Sequence, residues 1–277
     1  MVTYIRITPE TLHWFVPLLP EEERQALEQG RRVYAIGAVR DRTACGVLVF
    51  QVGAPTVEIR FLAVAEGFRR QGVARGMVEY LCRHAWEQVS PVVCIFAAKN
   101  RSDPIYLFFA GLEQFSLVQE EGFCCQVPLA GLSQNERLAA LSRAQGQVRP
   151  FFSLPQAEQR KFLFQIRQNN VPFPEEEEQR QYCKPLCLCA TGTSGAVEAA
   201  VFLAEDGEDL ELTCIWCAPG RQQRLMALLA RACTQLPEGP GWLRIAAVTP
   251  QSAALVDKLL PQRQITARYY RAAWDME

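Results

Sequence analysis

Residues 58–75 constrain this chain more than any other stretch. Charged and apolar side chains alternate from Glu58 to Phe61 and run on apolar through Leu62, Ala63 and Val64; after Arg69-Arg70-Gln71-Gly72, apolar residues recur at helical spacing as Val73, Met77, Val78 and Leu81. A strand, a tight turn and an amphipathic helix in immediate succession bury their apolar faces by packing helix on sheet, which points to a mixed α/β fold. The first turn of such a helix points unpaired amides outward and adds partial positive charge, so it is a natural seat for phosphate. Gly72 leaves bare backbone where a side chain would hold phosphate oxygens away, Ala74 keeps the next turn slim, and Arg69, Arg70 and Arg75 add charge around it. A glycine among arginines at a helix start is also common as a plain turn. Context favours the anion seat, because a second buried strand at 91–98 and then Asn100 follow in the order the chemistry needs.

With 277 residues, 49% of them apolar, the chain buries two ordinary cores better than one large one. A formal net charge of −1 gives no general attraction to nucleic acid or to an anionic membrane, so a small-molecule or peptide partner is expected. No apolar run approaches the roughly 18 residues a membrane span requires, and the N-terminal residues lack a basic flank followed by an apolar core, so a cytoplasmic protein is expected.

Pattern and punctuation predict an edge strand at 4–8, helical turns at 12–19 and 21–29, and an antiparallel meander at 33–39, 44–52 and 56–64. A helix at 72–88, a strand at 91–98, a helix at 104–121 and a strand at 123–129 follow. The polar segment 133–147 reads as a helical linker between an N-terminal domain, 1–132, and a C-terminal domain, 148–277. The second half repeats the order: a helix at 156–168, a Pro/Glu-rich loop at 171–178, strands at 186–191, 196–204 and 210–217, a helix at 222–236, a strand at 242–248, a helix at 251–259 and a strand at 264–272. Sliding the sequence by 153 places Glu58 on Glu211, Ile59 on Leu212, Leu62 on Ile215, Gly67 on Gly220 and Ala74 on Ala227, and a three-residue adjustment places Ile95 on Ile245 and Ala97 on Ala247. These matches are few and mostly apolar, yet with the shared order they indicate duplication.

Eleven cysteines sit mostly inside apolar runs and read as reduced, small hydrophobes. Cys187 with Cys189 and Cys214 with Cys217 offer four sulfurs, but residues three apart on a strand point to opposite faces, so no metal is expected. His13 and His84 share no motif.

The pattern Arg69-x-x-Gly72-x-Ala74 resembles the pyrophosphate-binding motif, Arg/Gln-x-x-Gly-x-Gly/Ala, of the GNAT superfamily of acyl-CoA-dependent N-acyltransferases. The resemblance covers the first domain in element order. It implies two GNAT-like domains in tandem, each a mostly antiparallel twisted sheet with a splayed central strand pair flanked by helices. It implies acetyl-CoA as co-substrate, with Arg69, Arg70, Gln71, Gly72, Val73, Ala74 and Arg75 at the pyrophosphate. The backbone of Leu62, Ala63 and Val64 would lie along pantetheine, a bulge amide there would polarise the thioester, and Asn100 would follow the second strand. The reaction implied is direct attack of an amine on the thioester carbon.

An ammonium with a reference pKa of about 10.4 must lose a proton to become that nucleophile. Glu58, eleven residues before Arg69, has the spacing of a strand glutamate that several family members use as base through water. A surface pair of Glu58 with Arg60, Leu62 and Val64 sharing their face, is the competing reading. The family's acid is a tyrosine between an Asn and a Gly-Phe pair; counting back from Gly122 reaches Val118, counting forward from Asn100 reaches Leu107, and Tyr106 is the nearest tyrosine. A core or cap role for Tyr106 stands beside the acid role.

In the second half Leu225 falls on the place of Gly72 and is expected to fill the phosphate seat, making this a degenerate copy that packs, walls the acceptor cleft or supports a homodimer. Trp216 and Trp242 are expected in its core. Against an N-acetyltransferase acting on a primary amine stand a non-catalytic acyl-CoA sensor and a purely structural interaction protein.

Overall fold

The computed structural model describes residues 1–30, 32–53, 56–87, 90–143, 147–168, 182–193 and 195–274, without the side chains of 85–87, 147, 167 and 168. The loop expected at 171–178 lies outside the described residues. By contacts the chain divides into two units, Met1–Glu120 with Tyr269–Glu277, and Glu121–Arg268.

In unit 1, β1 (Val2–Arg6) pairs antiparallel with β2 (Val33–Arg40), which continues through β3 (Thr43–Val52) and β4 (Val57–Val64) as the expected meander. Two short 3-10 turns and α1 (Glu21–Gln29) precede β2; α2 (Val73–Glu87), β5 (Val92–Ala98) and α3 (Pro104–Ala110) follow β4. Beyond β5 the sheet takes in the closing stretch of β12 (Gln264–Trp274) and the opening stretch of β6 (Ser116–Pro128). One core lies under α2, where Val73, Met77, Val78 and Leu81 meet Ile59, Cys94, Phe96 and Tyr270; Phe15, Val47 and Val49 centre a smaller one on the opposite face.

Unit 2 orders its sheet β6, β11 (Trp242–Ala247), β10 (Asp209–Cys217), β9 (Val197–Asp206), β8 (Leu188–Thr191) and β7 (Gln147–Pro150). α4 (Glu136–Ser142), α6 (Gln222–Thr234) and α7 (Pro250–Leu259) serve one face, and α5 (Gln156–Gln168) brings Phe162 and Ile166 to the other. Leu138, in the segment expected as linker, is fully buried in this unit's core. Trp216 is buried beside Phe162, whereas Trp242 is half-buried. Cys214 belongs to the α5-side core and Cys217 packs against the other, so they occupy opposite faces as expected. No described helix is long and apolar enough to cross a membrane.

β7 was not expected, residues 12–18 form 3-10 turns, and α3 is shorter than expected. The helix predicted for 104–121 ends at Ala110, with Gly111 at its C-cap, and β6 begins at Ser116. Gln119, Glu120 and Glu121 suit an exposed helix as well as an exposed strand, but Phe123, Cys125, Val127 and Leu129 are buried at period two, and the strand they establish extends back through the polar residues.

Candidate functional site

The site is built on β4, and one extra residue determines which way its side chains face. Val49 of β3 pairs with Phe61 but Phe50 pairs with Ile59, so Arg60 is bulged out of register. Before the bulge Ile59 enters the α2-side core; beyond it Leu62 and Val64 pack on that side, and Phe61 and Ala63 on the α1 side. Simple alternation would put Leu62 and Val64 on the face of Glu58; the bulge moves them to the other. It also lies at Arg60, before the 62–64 stretch where it was expected.

Arg60 does not pair with Glu58. Its Nε donates to both carboxylate oxygens of Glu23 on α1 at 3.3 and 3.2 Å, Nη2 donates to Glu23 Oε1 at 3.2 Å, and Nη1 donates to Gln51 Oε1 at 3.1 Å. Glu23, 8% exposed, is buried with its charge matched. Glu58 is exposed, and among the described residues no cation forms an ion pair with it. Its charge reaches Cys94 on β5, whose thiol is pushed up to about 12, first by burial and then by this carboxylate. The Arg60 clamp was not foreseen; a charged residue inside a strand signals a needed partner, but nothing in the sequence singles out Glu23.

β4 and β5 pair in parallel only at Val57 with Val92 and Glu58 with Val93. From Ile59 onward β4 keeps β3 as its partner while the edge toward β5 is unpaired among the described residues, so the amides and carbonyls of alternate residues, Leu62 and Val64 among them, face a gap. The gap opens toward the turn. After a 3-10 turn at Glu66–Phe68 the chain passes Arg70 at φ 60° and Gly72 at φ 79°, both left-handed, and Gly72 accepts the first α2 hydrogen bond from Gly76 at 2.9 Å. Nothing lies within 4 Å of where a Gly72 side chain would begin. The bare backbone therefore faces open space, as an anion seat requires.

Three side chains around the turn are tied down. Arg69 Nε donates to the Val64 carbonyl at 3.1 Å, Gln71 Nε2 to the Gly67 carbonyl at 2.9 Å, and Arg75 Nη2 to the Gly111 carbonyl at 2.9 Å. Arg40, from the β2–β3 hairpin, donates to Gln71 Oε1 at 2.8 Å and so brings a further cation to the turn. Hairpin pairing carries it there, a relation invisible in linear sequence. Val73 is buried under α2, and Ala74 is half-buried.

At the far end of β5, Asn100 is committed locally, its Oδ1 accepting from Ser102 N at 2.8 Å. The tyrosine count changes once α3 is known to stop at Gly111: four residues back from this helix-ending glycine is Leu107, the position also reached from Asn100. Leu107 is 55% exposed. The neighbouring Tyr106 turns inward, its ring edge-on to Tyr270 at 4.9 Å.

Unit 2 repeats the strand geometry but not the turn. Leu212 pairs with Leu203 and Cys214 with Phe202, so Thr213 is bulged as Arg60 is, and β10 pairs in parallel with β11 only from Leu210 to Leu212. Between β10 and α6 run only residues 218–221, whereas 65–72 separate β4 from α2. The seat is shortened rather than filled: Leu225 lies inside α6 and is buried in the core, not in the turn. At this helix start Arg221 and Arg224 hold the Glu198 carboxylate, with Arg221 Nη2 at 3.3 Å, so an internal anion takes up their charge.

Residues 3–104 match the acetyltransferase (GNAT) family. Solved structures extend the likeness to nearly all of the chain. A tandem GNAT protein from the clavulanic acid biosynthesis pathway superposes with TM-score 0.60 at 14% identity over 99% of this chain and 98% of that one. A probable N-acyltransferase of Enterococcus faecalis V583 gives TM-score 0.60 at 11% identity over 99% and 72%, and a GCN5-related N-acetyltransferase from Sphaerobacter thermophilus gives 0.55 at 12% over 98% and 95%. At these identities the likeness establishes a tandem GNAT fold. No curated protein matches the chain.

Proposed function

We propose that unit 1, whose residues 3–104 match the GNAT acetyltransferase family, is an acyltransferase that transfers an acetyl group from acetyl-CoA to a primary amine. The observation that carries this reading is the separation of β4 from β5 beyond Glu58, opening onto a bare, left-handed turn at the start of α2. Pyrophosphate sits on the amides from Gln71 to Ala74, with Arg69, Arg70 and Arg75 around it and Arg40 alongside. Pantetheine lies along 62–64 in the gap, taking hydrogen bonds that β5 leaves free. An amide at the bulge stabilises the oxyanion formed as the amine attacks the thioester carbon. Collapse of that intermediate breaks the carbon–sulfur bond, the CoA thiolate leaves and takes a proton from water, and the amine's proton passes through water to Glu58. Leu107 at the family's tyrosine place leaves water as the better acid than the inward-turned Tyr106.

Glu58 shares the sheet face opposite the α2-side core with Ile95, 45% exposed, and Ala97 on β5. An acceptor whose ammonium meets Glu58 and whose apolar portion covers Ile95 fits this face, whether a small molecule or a peptide. The shortened turn and internally matched arginines of unit 2 argue for one acyl-CoA site per chain.

Calorimetry with CoA tests the seat: the wild type should bind and Gly72→Leu should lose at least tenfold in affinity. Absence of wild-type binding, or equal binding by the variant, rules the seat out. CoA release from acetyl-CoA across an amine panel tests the reaction, and Glu58→Gln should lower or shift the pH–rate profile while CoA affinity holds. Tight binding with no turnover on any amine would leave a sensor instead.

A further inference from the structure

A cavity of about 510 Å³ lies in unit 1 away from the turn, between the sheet and the second half of α2. It is lined by Arg6 of β1, Tyr34, Ala35 and Ile36 of β2, Phe50 and Val52 of β3, Val57 of β4, and Tyr80, Leu81 and His84 of α2. Its volume falls in the range, about 300–1,000 Å³, usual for small-molecule sites. Four of the lining side chains are planar rings. Tyr34 lies 5.8 Å from Phe50, and Tyr80 lies 4.2 Å from His84, centroid to centroid. Buried Ile36, Val57 and Leu81 supply an apolar floor.

The polar lining is of one sign. Among the described residues no acid lines the cavity, and the guanidinium of Arg6 stands over the Tyr34 ring at 5.1 Å without an ion pair or hydrogen bond. The Tyr34 and Tyr80 hydroxyls are likewise without a described hydrogen-bond partner. His84 Nδ1 lies 2.8 Å from the Tyr80 carbonyl, which can only accept, so this nitrogen carries its proton. An apolar slot walled by rings, with free donors and one unmatched cation, suits a flat apolar body bearing a carboxylate.

We infer that this cavity is a second ligand site, separate from the acyl-CoA seat, for a small planar aromatic carboxylate. The rings sandwich the aromatic body, the apolar floor removes it from water, and Arg6 takes the carboxylate.

Calorimetry with 1-naphthoate and its neutral isostere 1-naphthamide tests this on the full chain. The expected result is saturable 1:1 binding of naphthoate, with naphthamide about tenfold weaker for lack of the charge-assisted bond. Arg6→Gln, an exposed change, should erase the preference, and Val52→Trp should fill the slot and abolish binding of both. Circular dichroism and CoA affinity should be unchanged in the two variants, which separates this site from the proposed acyl-CoA seat. Failure of naphthoate to bind, equal binding of the two probes, or binding undisturbed by both substitutions would overturn the inference.

Discussion

Arg60 is a charge placed where β4 carries one residue too many, and Glu23 and Gln51 hold it from outside the strand. Breaking a fully buried ion pair costs about 3–5 kcal/mol, but the Arg60 and Glu23 side chains retain 28% and 11% exposure, which lowers the expected loss. Glu23→Gln should therefore destabilise unit 1 by about 2 kcal/mol, read from the urea midpoint. If the clamp also sets the bulge, the variant should lose kcat with acetyl-CoA more than CoA affinity; an unchanged midpoint would make the pair incidental. Gly72 is governed by backbone rather than by space. At φ 79° with nothing nearby, Gly72→Ala should cost about 1–2 kcal/mol through its left-handed conformation alone.

The elements are where sequence reading succeeds and where it fails. α1 and α5 fall where periodicity places them, and the meander strands lie within a residue or two, because each carries an unbroken pattern bounded by Gly, Pro or charge. α3 was overextended because polar residues 119–121 carry no period of their own. The turn of unit 2 was misread for a different reason. A slide of 153 holds through β10, where the Thr213 bulge falls on that of Arg60, but α6 begins four residues early and carries Leu225 into the core. Length differences inside loops are silent in apolar matches. The difference predicts a result by hydrogen exchange: saturating CoA should protect amides in 59–64 and 71–76 and leave 212–224 unaffected. Equal protection in both units would restore two sites.

Across the whole molecule, burial raises many thiols together. Cys82, Cys94, Cys187, Cys214 and Cys233 are pushed up to about 12, and Cys125 and Cys189 to about 11, from an ordinary 9.0. Unfolded chains release these protons near pH 9 while the folded state retains them, so between pH 9 and about 11–12 the unfolded state binds fewer protons and stability falls as pH rises. Urea midpoints from pH 8 to 10.5 should decline, and less so in Cys94→Ala; a flat profile would refute the coupling. Chain path supplies a second expectation. The closing stretch of β12 sits in unit 1, where Tyr270 is 5% exposed and stacks on Phe96 at 5.9 Å. No local pattern reveals strand membership across so many intervening residues. A chain cut after residue 132 should fail to reach cooperative unfolding, judged by circular dichroism and gel filtration.

That returning strand sets a timetable. During synthesis, residues 121–268 leave the ribosome before residues 269–274, so unit 2 has all of its strands in hand while unit 1, though translated first, still waits for its last one. A chain that stops short of residue 269 thus leaves unit 1 without its last strand. Such a chain keeps the surface around Phe96, which Tyr270 otherwise stacks on, uncovered and open to quality control.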